Sequence, residues 1–336
     1  MSVGWDKIIR VSRTSRRRSM VTADRSGWAG LSFWAWTDYG QIRARLDAGA
    51  DPNAPVQTSR PLHEAAERGS PEVVAELARR VDDLDAECEG RTALWRAVYA
   101  NRPDNARALV AAGADPRRPT IAGWSPARLS LAGPNPDLFD LEPGELELSR
   151  EEVAAVVEGR RLTAALGNLE VTEGLGLACV AGISSAEAAR RLEAVPVEGF
   201  EPDPFDFEQD IALIGATDVP GGCVISQLWG YAPQMPGVTR RLSTGTICYG
   251  FYANPKSGGQ GSIARDGVIE GWDLSPGGDP YADDPAEQVL AAYLYQRNAV
   301  AYCCAYAGLR LTDSRAINGK PDRWLRLPER DYWQWT

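Results

Sequence analysis

Histidine is the side chain most often recruited for proton transfer near neutral pH, and the sequence contains one, His63. A multi-histidine zinc site cannot be assembled from it, and a catalytic triad would have to recruit that same residue. Carboxylates gather in one stretch: Glu201, Asp203, Asp206, Glu208 and Asp210. They offer hard oxygen ligands or an acid–base pair, but their spacing fits no calcium-loop pattern, and a solvated loop accounts for them. The run Gly258-Gly259-Gln260-Gly261 lacks the Lys-Ser/Thr ending of a phosphate-binding loop and reads as a turn between strands. Cys223 and Cys248 have no free histidine to activate them and read as buried thiols. Trp229, Tyr231 and Trp272 are candidates to line a ligand groove, with core or rim packing as the alternative. The expectation is a non-enzymatic protein without metal or cofactor.

The elements that must hold these residues are bounded by composition. At 336 residues the chain exceeds the usual single domain, and 44% hydrophobic with 24% charged residues is ordinary globular usage. A net charge of -10 opposes the Lys/Arg footprint of phosphate-backbone binding, so nucleic acid is not expected as a partner. No apolar run approaches the roughly 18 to 20 residues of a membrane span, so no membrane is expected either. Six cysteines without a C-x-x-C pair, two of them adjacent at Cys303 and Cys304, fit a reducing, cytoplasmic setting. Residues 1–27 carry Arg10, Arg13, Arg16, Arg17 and Arg18 with no apolar stretch behind them. They read as a disordered basic tail, with Met20 an alternative start.

Self-similarity organises the first half. Gly49-Ala50-Asp51-Pro52 returns as Gly113-Ala114-Asp115-Pro116, an offset of 64 or twice 32. Between the copies, Arg60-Pro61-Leu62-His63-Glu64-Ala65-Ala66 is followed by Gly69-Ser70-Pro71-Glu72-Val73-Val74, and Gly90-Arg91-Thr92-Ala93-Leu94-Trp95-Arg96-Ala97 opens the next unit. This pattern resembles the ankyrin repeat family, whose T-P-L-H-x-A signature is matched at Pro61, Leu62, His63 and Ala65. The resemblance implies a helical stack over residues 28–132, with two full repeats and incomplete ones at either side. A third opening at Gly123-Trp124-Ser125-Pro126 breaks at Gly133-Pro134, so the stack lacks its own carboxyl-terminal cap and the second domain is expected to supply one. The resemblance also implies that His63 orients a turn by bonding to backbone. It places partner-binding positions at Glu64, Glu67, Arg68, Arg96, Tyr99 and Arg102. Tyr99 is either an exposed anchor or a cover for Trp95 one turn away.

Residues 133–169 read as a linker and connecting helix, with a capping signal at Ser149-Arg150-Glu151-Glu152. In residues 170–336, strand signals at Gly174–Val180, Ile211–Ile214, Cys223–Leu228, Thr244–Tyr252 and Gly267–Trp272 alternate with helical stretches. This predicts an α+β domain with an antiparallel sheet. Leu177-Ala178-Cys179, Gly182-Ile183-Ser184, the helix from Ala186 to Leu192, and Asp266-Gly267 before Gly271-Trp272-Asp273 resemble the bacterial domain-of-unknown-function family 6461. That resemblance implies a fold and no reaction. The expected function is binding of a protein partner through the helical stack. The alternatives are an immunity-type protein that neutralises a basic toxin and an unrecognised enzyme in the second half.

Overall fold

The computed structural model describes residues 26–56, 59–142, 144–167, 169, 174–200, 211–256 and 258–334. The carboxylate stretch at residues 201–210 and the basic tail before residue 26 lie outside them. The chain forms two compact units that do not follow its order. Of the described residues, those from 26 to 154 join Pro280–Leu294 in one, and those from 155 to 279 join those from Tyr295 onward in the other. The sequence reading kept all of residues 170–336 together, whereas the contacts assign Pro280–Leu294 to the repeats.

In the repeat unit, a 3-10 turn at Phe33–Thr37 precedes α1 (Tyr39–Asp47), and the helix pairs α2 (Pro61–Arg68) with α3 (Pro71–Ala78) and α4 (Ala93–Tyr99) with α5 (Pro103–Ala112) follow. A single helix, α6 (Pro126–Ala132), comes next. Starts are set by chemistry visible in the chain. Pro61, Pro71, Pro103 and Pro126 occupy first-turn positions, where the missing N–H is no loss. Thr92 and Ser125 accept N–H bonds from Trp95 and Arg128 at 3.1 and 3.2 Å. The first helices form one row and the second helices another, with Leu62, Val74, Leu77, Leu94 and Leu109 buried between them. Asn105 of α5 crosses the interface, its side-chain amide donating to Ala65, Ala66 and Gly69 carbonyls at 3.0 to 3.2 Å.

The missing end repeat is replaced by α10, the helix Ala286–Leu294, which packs against α6. Trp124 is fully buried and donates its indole N–H to the Ala286 carbonyl at 2.9 Å. Arg91, also buried, bonds to the Pro280 carbonyl and lies over the Trp95 ring at 5.4 Å. Tyr293 meets Tyr99 at 5.6 Å between ring centroids, and a Cβ at Gly133 would collide with its hydroxyl. Val289 and Leu290 complete the apolar cover.

The second unit is built on one antiparallel sheet of eight strands: β1 (Leu175–Ala181), β2 (Val195–Val197), β3 (Leu213–Val219), β4 (Gly222–Leu228), β5 (Ile247–Asn254), β6 (Gly258–Arg265), β7 (Val268–Asp273) and β8 (Arg323–Arg326). Their order across the sheet is β2-β8-β3-β4-β1-β5-β6-β7. Strand alternation gives it two apolar faces. Ala178, Val180, Ile214, Cys223, Ile225 and Cys248 pack with α8 (Ser185–Leu192) and α9 (Pro236–Leu242). On the other face, Cys179, Val224 and Tyr249 stand opposite one another across β4, β1 and β5. There α11 (Ala299–Tyr306) packs on β5, and the short α12 (Arg315–Asn318) packs on β3 and β4. The connecting helix α7 runs Arg150–Leu166.

One sequence expectation gives way here. The Gly258–Gly261 run is the first half of β6, not a turn. Its glycines are needed because β5 presents large rings beside them. A Cβ at Gly261 would stand 2.5 Å from the Tyr249 hydroxyl, and one at Gly259 would stand 3.0 Å from Phe251. The short β2 and the helix α9 carry no strong local signal and were not expected.

Candidate functional site

The row of first helices places the expected partner-binding residues side by side, but most are engaged with one another. Glu67 is the centre. One carboxylate oxygen lies 2.7 Å from Arg68 and the other 2.9 Å from Arg96, while Arg68 also pairs with Glu64. Arg96 retains only 12% side-chain exposure and Glu64 17%. Arg102 is turned to the backbone, donating to the Gly69 carbonyl at 2.7 Å. Partly buried pairs of this kind are held more firmly than surface ion pairs. They give the face a fixed charge pattern, alternating in sign from α2 to α4.

Tyr99 is not a solvent-facing anchor. It is 7% exposed, stacked on Trp95 with centroids 4.9 Å apart and planes 13° apart. The reason is Tyr293, which arrives from the distant cap segment and covers the position that an end repeat would have taken. Among the described residues, the most exposed aromatic of the unit is instead Trp34, in the 3-10 turn beside α2, at 77% exposure. Its signal in the sequence is its place among Trp28, Trp34 and Trp36. Trp28 and Trp36 stack on each other at 5.6 Å and are buried, whereas Trp34 points outward.

The connecting turns add a mainly acidic edge. Asp51, Asp82, Asp83 and Asp115 are exposed. Successive turns are bridged by Asn53 to Asp82 at 3.2 Å and by the Asp115 N–H to Asp85 at 3.2 Å. Burial, opposed by the Asp115 N–H bond, raises the Asp85 carboxyl above its ordinary value.

His63 is structural in this geometry. Its Nε2–H donates to the Arg91 carbonyl at 3.1 Å, linking one repeat to the turn that opens the next. Burial, outweighing that bond, pushes its pKa from 6.5 to about 4. A base held neutral in the fold but protonated when unfolded contributes stability that is full above pH 6.5 and is lost as pH falls toward 4. The unfolding free energy from urea titration should therefore fall between pH 7 and pH 5 by about 2 kcal/mol more in the wild type than in His63→Gln. Parallel pH curves would refute that linkage.

In the sheet unit, the three groove candidates do not converge. Trp229 follows β4 and is 40% exposed, and Tyr231 contacts Tyr252 and Trp333 at 5.9 and 5.8 Å. Trp272 stands on the edge strand β7, opposite Ser262. A different cavity of about 500 Å³ is lined by Ile211, Ala232, Met235, Leu327, Tyr332 and Trp333. Buried Gln227 shapes it, donating to the Ile211 and Leu213 carbonyls and accepting from the Ala232 N–H at 2.9 to 3.0 Å. Cys223 is buried, which pushes its thiol up to about 12, and Cys248 is raised for the same reason. Neither is poised as a nucleophile. Among the described residues, no three His, Cys, Asp or Glu side chains gather as a metal site, and no helix is long and apolar enough to cross a membrane.

No curated protein matches the chain, and nothing in the comparisons supports the resemblance read at residues 170–328. The family model for ankyrin repeats matches residues 36–120 in three copies, so the helical stack is an ankyrin repeat region.

Proposed function

We propose that the protein is a non-enzymatic binding module whose ankyrin unit holds a protein partner on the row of first helices. The observation that supports this most directly is the closed stack itself. Its end is covered by the chain's own α10, while the row of first helices keeps the fixed Glu64, Glu67, Arg68 and Arg96 pattern and the 3-10 turn packed on α2 carries exposed Trp34. An exposed aromatic next to pre-paired charges is the composition that interface hot spots favour. The six cysteines, all free thiols, support a cytoplasmic setting. The resemblance of residues 170–328 to the family of unknown function is carried here as an expectation of fold alone.

Because Tyr99 is buried, it is a poor probe of binding, and Trp34 and Glu64 are better ones. Trp34→Ala and Glu64→Lys are each expected to weaken capture of the bound protein at least about tenfold, with thermal midpoints near wild type for Trp34→Ala. Undiminished capture by both variants would remove this face from consideration.

A second reading, neutralisation of a basic toxin, draws on the exposed aspartates of the turns and the net charge of -10. It predicts rescue of cells expressing such a toxin, with rescue lost on Asp82→Lys combined with Asp83→Lys.

A further inference from the structure

Two of the six thiols stand in contact. The Sγ atoms of Cys179, on β1, and Cys304, on α11, are 3.7 Å apart, and both side chains are fully buried. The sheet register keeps the others out of reach of this pair. Val180 faces both Cys223 and Cys248 across its two neighbouring strands, so these lie on the α8 and α9 face, opposite to Cys179. They also cannot bridge each other, because β1 runs between β4 and β5 and separates their Cα atoms by about 9.5 Å. That is beyond the roughly 7 Å limit for a disulfide. Cys303 is directed to the buried Tyr249 and Asp273 pair. Cys88 belongs to the ankyrin unit.

We propose that Cys179 and Cys304 are a cryptic disulfide, closed by a low-molecular-weight disulfide oxidant when the core opens and shielded from it in the native fold. In the first step, one thiolate of the pair attacks a sulfur of the oxidant. This forms a mixed disulfide and releases one small thiolate. The second thiolate then attacks the protein sulfur of the mixed disulfide and releases the other. Two protein thiols lose two electrons and two protons, and one oxidant molecule becomes two thiols. Shielding follows from burial out of reach of the oxidant, and the hydrogen bond to Cys304, with burial second, raises the Cys179 thiol well above its ordinary value and leaves almost no thiolate in the native state. Closure would fasten α11 to β1, a central strand, across a loop of 125 residues, and long loops gain most from such a link.

The test compares native protein with protein refolding from urea, both in oxidised glutathione, followed by alkylation, digestion and mass spectrometry. Refolding protein is expected to yield a Cys179–Cys304 peptide and a mass lower by two hydrogen atoms, while native protein stays reduced over the same period. Cys303→Ser should keep the link and Cys304→Ser should abolish it. The linked protein should unfold at least about tenfold more slowly than the reduced form. The assignment is overturned if refolding gives no bond or favours another pair. Equally fast closure in the native protein would overturn the shielding.

Discussion

Trp124→Ala should cost the ankyrin unit about 3–5 kcal/mol, seen as a lower urea midpoint and faster amide exchange in α4 and α6. The indole is fully buried, donates to the Ala286 carbonyl at 2.9 Å, and carries the Arg128 guanidinium over its ring at 4.4 Å. Truncation removes apolar volume, orphans a carbonyl and loosens α10 from α6 together. Trp124→Phe keeps most of the volume and loses the N–H, so it should cost only about 1–2 kcal/mol. Since typical domains are stable by about 5–15 kcal/mol, the alanine variant should bring the unit close to unfolding. A loss below about 1 kcal/mol would mean that α10 is a passive neighbour and not the cap.

In the sheet unit, the largest effect is expected at Gly222. A Cβ there would collide with the Val180 carbonyl and stand 2.9 Å from the Leu309 side chain and 3.0 Å from the Gly182 nitrogen. Backbone on two sides cannot yield as a side chain can, so Gly222→Ala should cost about 3 kcal/mol or more. Gly245→Ala is the control. Its φ of +67° is left-handed but nothing lies within 4 Å of the added carbon, so it should cost only about 1–2 kcal/mol. Thermal unfolding of both variants separates crowding from backbone conformation. Equal losses would show that packing around β1 and β4 is softer than these distances require.

The repeat helices were legible because their signals are local. Proline at the first helical position, Ser or Thr as the residue before the helix, and the Gly-Ala-Asp-Pro turns at residues 49–52 and 113–116 each act within a short window. The cap was legible only as a need. The helix Ala286–Leu294 is mostly apolar along its length, but that pattern does not say which neighbour it covers, and Trp124 lies 162 residues from its partner carbonyl. The same distance hid the fate of Tyr99, whose exposure is decided by Tyr293. At β6, glycine propensity pointed to a turn, and the opposing cause, the Tyr249 and Phe251 rings, sits on another strand. The proposed site could be read in the sequence as positions on successive helices but not as a network. Spacing shows that Glu64 and Arg68 are one turn apart, yet the Glu67 to Arg96 pair spans two repeats. Trp34 is one of three tryptophans within residues 28–36, and only the burial of Trp28 and Trp36 singles it out.

The cap also has a consequence for synthesis. The repeats are translated first, but the Ala286 carbonyl that Trp124 needs is added 162 residues later. At about 5–20 residues per second, this leaves roughly ten to thirty seconds in which the stack is complete except for its end. During that interval Trp124, Leu129 and Tyr99 present an uncovered apolar edge on the ribosome. Such a transiently exposed apolar edge is the kind of surface that promotes aggregation, and slow codons between residues 133 and 280 would lengthen its exposure.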